Sequence, residues 1–130
     1  MNNFVAQVPG VTHAIVVSAD GLLLITSDEI PDEQAEQLAA VASGLHGLAA
    51  GASRILGLGK CKQTIVRMKR CRLLIMAISD GSCLATLATA ECDMKIIAYQ
   101  MTLLVESSDH VLTPQLRREL RTKIRRADIR

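Results

Sequence analysis

Apolar residues cluster in two short runs near the start of the chain, "HAIVVS" from His13 to Ser18 and "LLLITS" from Leu22 to Ser27. Both carry apolar side chains at odd and even positions, which predicts strands of a sheet covered on both faces. Ser18-Ala19-Asp20-Gly21 between them predicts a hairpin turn, because Asp-Gly tolerates positive φ. Upstream, Asn3 to Val8 has room for a short helix that Pro9-Gly10 breaks.

Pro31-Asp32 then opens a long helix. Either Asp32 caps it or Pro31 occupies its first turn, and Glu33 and Glu36 suit its positive end. Leu38, Val41, Leu45, Leu48, Ala52 and Leu56 recur at helical spacing, and this bulky stripe is expected to face the sheet. A second stripe runs through Ala40, Gly44, Gly47 and Gly51. Each interior glycine costs ~1 kcal/mol relative to alanine, so three on one face need a reason. Close packing on the chain's own sheet is one; close approach of a second helix, from another copy, is the other. The pattern leaves both open.

"KQTIVRMKR" alternates, with Thr64, Val66 and Met68 on one face and Gln63, Arg67 and Lys69 mostly on the other. "LLIMAIS", Leu73 to Ser79, is apolar on both faces like a central strand, and Asp80-Gly81-Ser82 turns it into "CLATLAT". Such short connections make an antiparallel meander. A helix begins near Glu91, with Met94, Ile97, Ala98, Met101, Leu104 and Val105 on one face. Thr113 and Pro114 open a terminal helix with a narrow apolar line at Leu116, Leu120 and Ile124. The order α-β-β-α-β-β-β-α plus a basic helical tail is that of an α+β domain.

Composition narrows the functional classes. The chain has 130 residues, enough for one core, and 49% of them are hydrophobic. Phe4 and Tyr99 are its only aromatic residues, so the core is aliphatic and platforms for stacking bases are few. No apolar run is long enough to span a membrane, and "MNNFVAQVPG" lacks the basic start and apolar stretch of a signal peptide. A cytoplasmic chain with reduced thiols is expected. Cys61, Cys71, Cys83 and Cys92 form no C-x-x-C pair and have no histidine at ligand spacing, so no metal site is expected. Charge is segregated. Up to Gly59 the only basic residue is Arg54, whereas Lys60, Lys62, Arg67, Lys69, Arg70 and Arg72 follow without an acid between them. From Pro114 to Arg130 there are seven basic residues and two acids. Clustering of this kind invites an anionic partner.

Gly57 to Thr64, "GLGKCKQT", superficially suits a phosphate. A phosphate loop of the G-x-x-x-x-G-K-[ST] type follows a strand and opens a helix. Here Arg54 stands where the first glycine belongs, Cys61 replaces the metal-binding hydroxyl, and a helix precedes a strand. The glycines read better as a helix cap and a turn. No dinucleotide fingerprint appears, so no cofactor is expected. His13 falls in a strand, His46 on the long helix and His110 in the loop before the tail, and none belongs to a recognisable catalytic arrangement. Nothing in the spacing marks an enzyme.

"VPGVTHAIVVSADGLLL", Val8 to Leu24, the Ala/Gly-rich helix, and "DMKIIAYQMTLL", Asp93 to Leu104, together resemble the roadblock (dynein light chain) family, in particular its actinobacterial-type members encoded beside a sensor kinase and a small Ras-like GTPase. The resemblance covers roughly residues 4 to 107, giving a roadblock-like domain over 1–107 and a basic helical tail over 108–130. It implies a five-stranded antiparallel sheet between helices. It further implies a non-enzymatic homodimer that docks a Ras-like GTPase, as activator or scaffold. In the family, the strand after the long helix joins its symmetry mate and the long helices pack together. Carried over, the dimer interface uses Ala40, Gly44, Gly47, Gly51, Thr64, Val66 and Met68. Arg54, Arg67, Lys69 and Arg70 are candidates for touching the GTPase. The competing reading is a module for anionic surfaces, nucleic acid or membrane, that works through the basic hairpin and tail.

Overall fold

A computed structural model of the chain describes residues 2–27 and 30–111. The element order is α1 (Asn2–Gln7), β1 (Val11–Val17), β2 (Leu23–Thr26), α2 (Asp32–Leu56), β3 (Gln63–Arg67), β4 (Cys71–Ala77), β5 (Cys83–Thr89) and α3 (Met94–Val111). All strand pairs are antiparallel, in the order β2-β1-β5-β4-β3. The predicted tail helix lies outside the described residues.

The sheet is covered on both faces, as the two-sided apolar runs require. Against one face, Phe4 of α1, Val8 just after it, and Ile97 and Met101 of α3 are buried over Ala14, Val16, Leu74 and Leu84. On the other, α2 lays Ala35, Ala39 and Ala42 over Ile15, Val17, Leu73 and Ile75. Burial pushes the Cys83 thiol up from its ordinary 9.0 to about 11, so it stays a neutral core side chain.

Two similar turns set the strand register. In the first, the Ser18 N–H donates to the Leu22 carbonyl at 2.9 Å, and the Leu22 N–H returns to Ser18 Oγ at 3.0 Å. In the second, the Ile78 N–H donates to the Ser82 carbonyl at 2.8 Å, and Asp80 Oδ1 accepts the Ser82 N–H at 3.1 Å. At the chain's first corner, Gly10 has φ +89° and accepts the Thr89 N–H at 2.8 Å. It joins α1 to β1 beside the segment leading into α3.

Three local expectations need correction. Pro31 is the N-cap residue of α2, with ψ 141° and no side-chain cap; Asp32 and Glu33 are its first-turn acids. Proline loses nothing there, having no N–H to leave unpaired, and the acids sit at the positive end of the helix dipole. Helix α3 runs on to Val111, so His110 lies within it and not in a loop. The largest correction concerns α2. Val41, Leu48 and Leu56 are 52%, 75% and 66% exposed, and only Leu38 and Leu45 of the bulky stripe reach the core. Alanine faces the sheet because a small side chain lets the helix lie close to it.

Candidate functional site

At 100° per residue, Ala35, Ala39 and Ala42 fall on one side of α2, and Val41, Gly44, Leu48, Gly51 and Ile55 on the other. These five alternate at three- and four-residue steps, the seam of a helix that packs on another helix. Ile55 is 86% exposed. A methyl group at Gly44 or Gly47 would meet nothing within 4 Å; at Gly51 it would meet only Arg54 Nη2, at 3.8 Å. Packing within the chain therefore does not explain these glycines. Burying a Val, Leu or Ile side chain is worth about 1.5–3 kcal/mol. Among the described residues α2 forgoes that gain at Val41, Leu48 and Ile55, which leaves an exposed apolar face.

Gly57 closes α2 with φ +64°, its N–H donating to the Arg54 carbonyl and the Leu58 N–H to that of Ser53. Both are bonds of a Schellman cap. "GLGKCKQT" is thus a helix cap and turn that delivers the chain into β3.

Strand β3 is an edge. The Ala77 N–H donates to the Lys62 carbonyl and the Met68 N–H to that of Cys71. By antiparallel alternation, Thr64 and Val66 also bond toward β4, and the backbones of Gln63, Ile65 and Arg67 point outward. Ile65 is 47% exposed, in an open edge that invites another strand. Of the residues expected at the interface, Ala40, Gly44 and Gly47 are exposed and Gly51 half-buried; Thr64 and Val66 are half-buried and Met68 exposed. The exposed Ile65 falls inside the strand span Thr64 to Met68 that the resemblance implies, whereas Ile55 was not expected on this face and Val41 and Leu48 were expected on the other. The available signal was that α2 carries two apolar stripes.

Of the basic candidates, Arg67, Lys69 and Arg70 gather at the β3–β4 turn, whereas Arg54 sits in the last turn of α2, on a different element. Arg67 stands opposite Arg72, an unfavourable like-charge pair. The Arg72 guanidinium is occupied by the carbonyls of Met68 and Cys71. Arg67, Lys69 and Arg70 are exposed and form no ion pair among the described residues.

The histidines do not converge. His13 Nδ1 contacts Thr12 Oγ1 at 3.2 Å on β1, and His46 Nδ1 is buried on α2 without a partner among the described residues. Among the described residues, no group of three or more His, Cys, Asp and Glu is placed to hold a metal.

Residues 2–88 match the family model of the Roadblock/LC7 domain. The chain belongs to that family. Two solved Roadblock/LC7 domains from Streptomyces avermitilis are each 33% identical to it. One aligns over 85% of this chain and 92% of its own with a TM-score of 0.81, the other over 82% and 91% with 0.67. MglB of Myxococcus xanthus, at 9% identity, shares the fold over 85% of this chain and 89% of its own, with a TM-score of 0.77. No curated protein sequence matches significantly. In this roadblock chain the five-stranded antiparallel sheet between helices, expected from sequence, is present.

Proposed function

We propose that this roadblock chain is a non-catalytic, homodimeric cytoplasmic regulator of a small Ras-like GTPase, acting as activator or as scaffold within a sensor-kinase system. One observation carries the dimer: an open β3 edge lies in the same domain as an unpartnered apolar and glycine face on α2. Two copies related by a twofold axis at Ile65 would pair Gln63 with the partner's Arg67 and merge the sheets. The α2 helices would then pack antiparallel, with the acidic first turn (Asp32, Glu33) of one copy toward the basic end (Arg54, Lys60, Lys62) of the other. Parallel packing would stack like charges instead, so electrostatics favours the antiparallel choice.

This pairing has a direct test. In a hydrogen-bonded antiparallel pair, facing Cα atoms are ~5.5 Å apart, within the span of a disulfide. Ile65→Cys is expected to cross-link into dimers under mild oxidation, and Asn3→Cys, exposed on α1, is not. Equal cross-linking of the two variants would sink the proposed register.

Family membership supports the GTPase role, and the dimer supplies a wide rigid surface for it. A roadblock protein needs no active site to stimulate hydrolysis, because docking biases the water-positioning geometry inside the GTPase. Captured from lysate on this chain, a small GTPase is expected to be enriched with a non-hydrolysable GTP analogue over GDP. Equal recovery in both would refute nucleotide-dependent regulation. The cations Arg67, Lys69 and Arg70, in no ion pair among the described residues, favour a second reading, binding to an anionic surface; recovery of nucleic acid or lipid without a GTPase would select it.

A further inference from the structure

Two arginines stand side by side in the β3–β4 hairpin, Arg67 directly opposite Arg72. The Met68 N–H bonds to the Cys71 carbonyl, so Arg67 and Arg72 are the adjoining non-hydrogen-bonded pair, the closer kind, with Cα atoms only ~4.5 Å apart. They share a face with Leu74 and Met76, which belong to the core under α1 and α3. Helix α2, with its first-turn acids Asp32 and Glu33, lies on the other face. Carbonyls of Met68 and Cys71 hold Arg72 Nη1, and the rest of its guanidinium has no partner among the described residues. Neither arginine forms an ion pair among those residues, with Glu91 and Asp93 of the β5–α3 connection or with any other acid. Like charges directly opposite destabilise a sheet, and nothing described offsets this pair. A second unmet group lies at the start of β3. The Gln63 side-chain nitrogen is buried with no hydrogen-bond partner among the described residues, a costly state for a donor. Gln63 is on the same face as Arg67, yet within one copy the two are four strand residues apart, ~13 Å. The twofold β3 pairing proposed above sets Gln63 ~5.5 Å from the partner's Arg67, Cα to Cα.

We propose that each end of the β3–β3 seam is a binding site for a phosphate group, formed by Arg67 and Arg72 of one copy and the Gln63 amide of the other. The site rests on that dimer and gives it a ligand. Guanidinium forks bind oxyanions through paired N–H donors, and a doubly charged phosphate neutralises both arginines where a carboxylate neutralises one. Lys69 and Arg70, exposed in the turn between the two arginines, raise the positive potential around it. Because the site is complete only in the dimer, phosphate binding and dimerisation strengthen each other. A free polyphosphate and an anionic lipid headgroup carry the same chemistry, and the experiment separates the two sources.

Sedimentation equilibrium of the full chain, with and without pyrophosphate at an ionic strength matched with sodium chloride, reads this linkage. With two equivalent sites, pyrophosphate at its own dissociation constant tightens the dimer by about four-fold. Arg67→Gln is expected to abolish the response. Gln63→Leu alters no charge and is expected to weaken it, which diffuse screening would not do. A full response in either variant overturns the site. A wild-type dimer indifferent to pyrophosphate overturns it too, and leaves the dimer standing; a chain that stays monomeric under every condition removes the dimer itself and the site with it. Flotation with phosphatidylcholine vesicles, with and without phosphatidic acid, then identifies the source. Retention on phosphatidic acid that pyrophosphate releases supports the site with a lipid headgroup as ligand. A tightened dimer without retention supports it with a soluble phosphate.

Discussion

Gly44→Leu is expected to convert the proposed dimer into monomers while leaving the monomer at least as stable. Glycine is roughly 0.8–1 kcal/mol worse than alanine in a helix and leucine ranks just below alanine, and a methyl added at Gly44 meets nothing within 4 Å among the described residues. In the proposed dimer the leucine side chain would enter a close helix crossing. Overpacking costs typically 1–3 kcal/mol per site, and symmetry presents the site twice, so association weakens by about 2–6 kcal/mol. That corresponds to roughly 30-fold to 10⁴-fold in dissociation constant. Sedimentation equilibrium would measure it, with thermal unfolding at matched concentrations to confirm the fold. The two readings of the glycine stripe make opposite forecasts: packing on the chain's own sheet predicts an unstable monomer, and the dimer face predicts a sound one. An unaltered dimer would show that α2 packs against something else.

Gly10→Ala should be the most damaging of the glycine-to-alanine changes in the domain. At φ +89° an alanine is strained, and its Cβ would stand 2.9 Å from Cys92 Cβ and 3.4 Å from Cys92 Cα. The second contact is with backbone, which has no rotamer to yield. Positive φ costs roughly 1–2 kcal/mol outside glycine and overpacking about 1–3, together about 2–5 out of a total stability of roughly 5–15 kcal/mol. Gly57→Ala separates the two causes. Gly57 has φ +64° but nothing within 4 Å of the added methyl, so it bears the backbone strain alone. Denaturant midpoints of both variants would decide: a Gly10→Ala loss no larger than that of Gly57→Ala would remove the close approach to Cys92 as a constraint on the fold.

The corner at Gly10 also shows how far the sequence could be read. Pro9-Gly10 announces a break, but only the fold brings Cys92, far along the chain, against the missing side chain. Local chemistry was legible: the turns at Ser18–Gly21 and Asp80–Ser82, the cap at Gly57 and the two-sided strands all follow from residues adjacent in sequence. Helix α2 was legible as a helix, but not in orientation. Periodicity reports that a stripe exists, without saying which of two stripes meets the sheet. The size rule that large apolar residues point inward failed because the stripe that meets Ile15 and Ile75 is the alanine one, Ala35, Ala39 and Ala42.

By itself, then, the sequence determined the element order, the fold class and the presence of an unexplained glycine face. It also excluded a phosphate loop, because Arg54 and the helix-then-strand order forbid one whatever the fold. Tertiary structure alone decided that β3 is an edge, that Ile65 points its backbone outward, and that Val41, Leu48 and Ile55 are left in solvent. Edges and faces depend on which strands pair and how closely layers pack. Those choices are made between residues distant in sequence, and no local pattern encodes them.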